Sequence, residues 1–144
     1  MPRRKELRPR EVFLSHSHIN RRFVAKLADD SRRHGIPVWF SETNIVAAQQ
    51  WHDEIGHALA RCDWFAVVLS NNSVKSAWVK RELLYALNDR RYEGHIVPIA
   101  YRPCESSALS WSLAAFQFVD FTGGYEAGCR ELLRAWGIGY SRRE

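Results

Sequence analysis

A chain of 144 residues, 46% hydrophobic and with six tryptophans, has the length of one domain and enough apolar material for a core, which excludes a largely disordered chain. No apolar run approaches the roughly 20 residues of a membrane-crossing helix, and the basic start MPRRKELRPR lacks the apolar segment of a secretory signal, so a cytoplasmic protein is expected. Most of the formal charge of +5 lies in residues 1–10, where Arg3, Arg4, Lys5, Arg8 and Arg10 outnumber Glu6; this reads as a basic flexible tail before a folded domain at 11–140, with no basic stripe for nucleic acid.

In chain order, EVFLS (11–15) reads as a strand. A helix follows from about Asn20 to His34, with Phe23, Val24, Leu27 and Ala28 at helical spacing. Gly35 stops it, and IPVWF (36–40) is a second strand. The polar stretch SETNIVAAQQ leads to a helix with Trp51, Ile55, Ala58 and Leu59 on one face. WFAVVLS (64–70) is a continuous β-prone run without alternation, as in central parallel strands covered on both faces. After NNSVKS, Ser76 is placed to N-cap a helix starting near Trp78. HIVPIA (95–100) is a fourth strand, and a loop with Pro103 and Trp111 leads to a weaker strand, FQFVDF (116–121). The last helix carries Tyr125, Cys129, Leu132, Leu133 and Trp136 on one face, with Gly123-Gly124 as the turn before it.

Strand and helix alternate throughout, so right-handed crossovers build a parallel sheet with helices on both sides. Five strands in this length predict an α/β, flavodoxin-like doubly wound sheet, whose ligands sit beyond the carboxyl ends of the strands near the topological switch point. Ser15-His16, Ser41-Glu42 and Ser70-Asn71 fall on that rim.

Several chemistries are excluded by spacing. No Walker-type phosphate loop is present, and no G-x-G-x-x-G follows the first strand. The histidines of His52-Asp53-Glu54-Ile55-Gly56-His57 are five residues apart, not the four that put two ligands on one helical face, so they read as exposed polar residues. Cys62, Cys104 and Cys129 are odd in number and show no C-x-x-C pair, against a zinc knuckle or a disulfide framework; Cys62 and Cys129 read as small core residues of helices. Ser15 and His16 lack a nucleophile-elbow context and, as neighbours on a strand, point to opposite faces, so binding polar groups or capping a loop are their open roles.

Helical geometry puts Glu82 roughly 40° and Tyr85 roughly −20° from Trp78. The three share a face turned away from the core stripe of Val79, Leu83, Ala86 and Leu87, with Glu82 on its flank. Geometry alone leaves two roles for Glu82: a partner for the helix dipole, which it favours, or a site residue.

Taken together and in order, EVFLSHS, GIPVWF, W-x-x-x-I-x-x-A-L at 51–59, WFAVVLSNNSVKSAW, W-V-K-R-E-L at 78–83 and IVPI at 96–99 resemble a bacterial-type Toll/interleukin-1 receptor (TIR) domain. The resemblance implies a five-stranded parallel sheet and one of two activities. Enzymatic members are NAD+ nucleosidases, cleaving the nicotinamide–ribose bond to give ADP-ribose or a cyclic ADP-ribose; others are non-catalytic interaction modules. It implies Glu82 as the catalytic residue with Trp78 as its partner; Trp78 and, at the strand-end rim and the loop after it, Ser15, His16, Ser41 and Asn44 are expected to bind substrate. NAD+ would be the substrate, with no metal and no resident cofactor. Self-association through contacts that include the 41–50 loop, and a setting in bacterial antiviral defence, are further implications; nucleic acid and membrane are not implied partners. Three positions depart from the bacterial pattern: Asn20 and Ser41 stand where acidic residues are common, and Ala47-Ala48 where a glycine is usual.

Overall fold

The computed structural model describes residues 8–41 and 48–142, the first four of the second span by backbone alone. Five parallel strands, β1 (Val12–Ser15), β2 (Val38–Trp39), β3 (Trp64–Leu69), β4 (Ile96–Ala100) and β5 (Val119–Asp120), form one sheet in the order β2-β1-β3-β4-β5. Three α-helices join successive strands, α1 (Arg21–Arg33), α2 (Ala48–Arg61) and α3 (Ala77–Leu87); 3-10 turns connect β4 to β5, and α4 (Tyr125–Ala135) follows β5. The order reverses direction at β1, between β2 and β3, which is the switch point of the doubly wound architecture.

Alternation along the strands sorts the core into two halves. Val12, Leu14, Ala66 and Val68 face α1 and α4 through Val24, Leu27, Leu132 and Trp136. Phe13, Phe65, Val67 and Leu69 face α2 and α3 through Ile55, Leu59, Val79 and Leu83. Both faces of β3 are therefore covered, and all six of its residues are buried, as its unalternating run predicts.

Helix α1 ends in a Schellman arrangement: Gly35, at φ 84°, donates its N–H to Arg32 O at 2.9 Å and Ile36 donates to Ser31 O at 2.9 Å. At the start of α3, Ser76 is extended and its hydroxyl accepts from Val79 N at 3.3 Å, the expected N-cap. Two expected strands are shorter than their apolar runs. Pro37 has no N–H and joins the edge only by accepting from Val12 N at 2.9 Å, so β2 keeps two residues. Phe116 closes a 3-10 turn over Trp111–Ala115 by donating to Leu113 O at 3.1 Å, leaving Val119–Asp120 to pair with β4. Cys129 is buried within α4, and Cys62 is buried one residue beyond the end of α2 rather than inside it.

Two features anchor the periphery. Residues 8–10 of the basic segment lie on the domain: Pro9 is buried, and Arg10 N donates to Asp63 Oδ1 at 3.0 Å and Oδ2 at 3.2 Å. After α3, the Tyr92 hydroxyl donates to Leu59 O at 2.5 Å and Arg91 Nη2 to the same oxygen at 3.2 Å, while Arg91 Nη1 reaches Ala60 O. The last carbonyls of α2 are thereby satisfied from the far end of α3.

Candidate functional site at the switch point

The side chains of Phe13 and Ser15 share one face of β1, because residues two apart on a strand point the same way. Phe13 enters the core beneath α2 and α3, so Ser15, the last residue of β1, meets α3. There its hydroxyl donates to Glu82 Oε1 at 2.7 Å. Both groups are sequestered, Ser15 at 1% and Glu82 at 8% of their full exposure. Burial raises the Glu82 carboxyl to about 7, and the Ser15 hydrogen bond acts in the opposite direction by favouring the ionised form.

This corrects the helical-wheel placement of Glu82. Tyr85 does turn outward, at 43% exposure, and Val79, Leu83 and Ala86 are buried as expected. Glu82, however, lies inside with the core stripe. A helical wheel does not know where the neighbouring strand ends; here β1 ends in a hydroxyl that gives the carboxylate a buried polar partner. Trp78, one turn earlier, is half-buried, with the Arg81 guanidinium 5.2 Å from its ring centroid and the His52 ring at 6.1 Å, edge-on.

A second polar cluster lies where β3 leaves the sheet. Ser73 N donates to Ser70 Oγ at 3.1 Å, and Ser70 Oγ in turn donates a hydrogen bond to Asn20 Oδ1 at 2.7 Å. Ser70 N donates to Ser73 Oγ at 2.8 Å, closing the turn. All three residues are buried. Ser70 falls on the expected rim, but the partnership with Asn20 joins residues 50 apart and only the Ser70-x-x-Ser73 spacing hints at the turn.

A profile described as the TIR domain matches residues 12–133. The chain belongs to the TIR domain family. The curated 2′ cyclic ADP-D-ribose synthase AbTIR of Acinetobacter baumannii is 29% identical over 105 residues, 71% of this chain and 39% of that protein. The NAD(+) hydrolase TcpC of Escherichia coli O6:H1 is 27% identical over 92 residues, 62% of this chain and 30% of that protein. This TIR domain thus spans well under half the length of either relative. In fold it is similar to the TIR domain of the Toll-related receptor TRR-2 from Hydra magnipapillata, with a TM-score of 0.70, 22% identity, and 88% of this chain and 97% of that one covered.

Of the site residues expected from the sequence, the structure of this TIR domain brings Ser15 and Glu82 into contact, with Trp78 one turn away. His16 goes to the other side of the sheet, where its ring meets Phe40 edge-on at 5.9 Å and its Nδ1 lies 3.4 Å from Leu14 O. Burial lowers its pKa, so the ring is neutral at pH 7. Ser41 is half-buried just past Phe40. Asn44 and Ala47 lie outside the described residues, as do residues 42–47 of the 41–50 loop. His52, Asp53, Glu54 and His57 are exposed, and among the described residues no three His, Cys, Asp or Glu side chains cluster as metal ligands. No helix among them is long and apolar enough to cross a membrane. Two clefts lie away from this site: about 640 Å³ between α1 and α4 beside Tyr125 and Tyr140, and about 540 Å³ on the outer face of α3 beside Tyr85 and Arg90.

Proposed function

We propose that this TIR domain is an NAD+ nucleosidase in which Glu82 is the catalytic carboxylate. The observation that carries the reading is a buried, uncommitted acid at the switch point: among the described residues no cation pairs with Glu82, and its hydrogen bond comes from a neutral hydroxyl. The names of AbTIR and TcpC, a cyclic ADP-ribose synthase and an NAD+ hydrolase, support the substrate class.

The chemistry suits one acid. Nicotinamide leaves from a cationic pyridinium, so the C1′–N bond breaks with its electron pair going to nitrogen and no proton is needed there. Positive charge develops on the ribose, and a carboxylate out of water stabilises it more strongly than one in solvent. Water then adds to C1′ and gives up its proton, giving ADP-ribose; an oxygen of the dinucleotide itself gives a cyclic product. Trp78 offers an aromatic wall beside the acid. Activity belongs to ionised Glu82, so the rate rises with pH and is half-maximal near pH 7, where the buried carboxyl titrates.

We place the reaction in the cytoplasm, in an assembled form that uses the 41–50 loop, within bacterial defence signalling. The test is nicotinamide release from NAD+ by the purified chain at high concentration, with Glu82→Ala and Glu82→Gln abolishing it while the fold persists. Inactivity of the unaltered chain under assembling conditions, or full activity of either variant, refutes the reading. A second reading, a non-catalytic interaction module, is favoured by Trp111, which is 84% exposed in the turn before β5. It predicts partner capture that survives Glu82→Gln and is lost in Trp111→Ser.

A further inference from the structure

We propose that Ser15 is a positioning residue that orients the Glu82 carboxylate from the end of β1 and touches no substrate itself. The inference rests on Glu82 being the catalytic acid. Three observations lead to it.

A serine hydroxyl has one proton to donate, and Ser15 gives it to Glu82 Oε1 at 2.7 Å. None remains for a ribose hydroxyl or a phosphate. At 1% exposure the residue also lies beneath the surface a dinucleotide would contact. Finally, its backbone is held in the sheet, in register with Val67 of β3, so the hydroxyl is delivered from a rigid element.

The choice of partner has chemical content. Lysine or arginine at this position would hold Glu82 equally well but would neutralise the charge that the ribosyl cation needs. Alanine would leave the carboxylate free to rotate and without a donor in an apolar setting, where the protonated acid is favoured. Serine fixes one oxygen and leaves the net charge of −1 in place. The opposing effects of burial and this hydrogen bond on Glu82 agree with that division of labour.

The experiment titrates the Glu82 side-chain carboxyl by 13C NMR, its resonance assigned with Glu82→Gln, in the unaltered domain and in Ser15→Ala, Ser15→Cys and Ser15→Thr. In parallel, kcat and KM for NAD+ are followed against pH. Ser15→Ala should move the Glu82 midpoint upward by about one pH unit. The acid limb of kcat should move with it, and KM should change less than about twofold. Ser15→Thr, which keeps the hydroxyl, should return both toward the original values. Ser15→Cys, close to serine in size with a weaker donor, should fall between, and it carries the test if alanine or threonine disturbs folding. A midpoint unmoved in Ser15→Ala and Ser15→Cys, or a loss that appears in KM at unchanged midpoint, overturns the proposal. Absence of nicotinamide release at every pH would instead remove the catalytic reading of Glu82, while the titration would still decide whether Ser15 governs its carboxyl.

Discussion

At the scale of single residues, Glu82 opposes function to stability. Its carboxyl binds its proton more tightly folded, at about 7, than in an unfolded chain near 4.5. The folded protein therefore holds the extra proton between those values, and its stability falls as pH rises through that window. Below about pH 4.5 the residue exerts no penalty; above about pH 7 the penalty is complete, on the order of 3 kcal/mol. Glu82→Gln removes the charge at similar volume and keeps an oxygen for Ser15. It should be inactive yet more stable than the unaltered domain by about 2 kcal/mol at pH 8, with no gain at pH 4. Denaturant unfolding at the two pH values checks this; equal stability at pH 8 would mean that the carboxylate is better solvated than its burial implies.

At the scale of elements, α3 depends on its first turn. Ser76→Ala removes the acceptor for Val79 N and should cost about 1 kcal/mol, read as a lower midpoint in thermal unfolding. Gly128 offers the opposite case, a helix-interior glycine that ought to improve as alanine. It should not: a Cβ there would stand 2.3 Å from Phe121 Cδ2, and Phe121 is buried between β5 and α4. Gly128→Ala should destabilise by roughly 1–3 kcal/mol, and pairing it with Phe121→Leu should recover part of the loss in a double-mutant cycle. Elements whose evidence is local were legible in the sequence, such as β3 with its unbroken apolar run and α3 with its Ser76 cap. Those decided by neighbours were not. The aromatics of FQFVDF look like a strand, but Phe116 and Phe118 pack on the α2–α3 side of the core, and the 3-10 turn over Trp111–Ala115 ends only at Phe116, so pairing begins at Val119.

At the scale of the whole molecule, the doubly wound order was readable because strand–helix alternation admits few topologies. The site was readable only in part. Ser15, Trp78 and Glu82 stand out from the family pattern, whereas the inward turn of Glu82 and the Asn20–Ser70 pair depend on contacts 67 and 50 residues apart. The amino-terminal boundary shows the same limit, since composition alone draws it at residue 10 although Pro9 and Arg10 are packed on the domain. Deleting residues 1–10 should cost about 2 kcal/mol through loss of the Arg10 N–H on Asp63, measured by denaturant midpoints.

The double hold on Leu59 O ties the end of α2 to the turn that follows α3. Arg91 and Tyr92 belong to the 3-10 turn Arg90–Tyr92 that follows α3, so the end of α2 and the exit from α3 share one anchoring carbonyl. Through the Ser15–Glu82 contact the same helix pair is also tied to β1, which is paired on both sides within the sheet, and at 2.7 Å that contact has little slack before the hydrogen bond is lost.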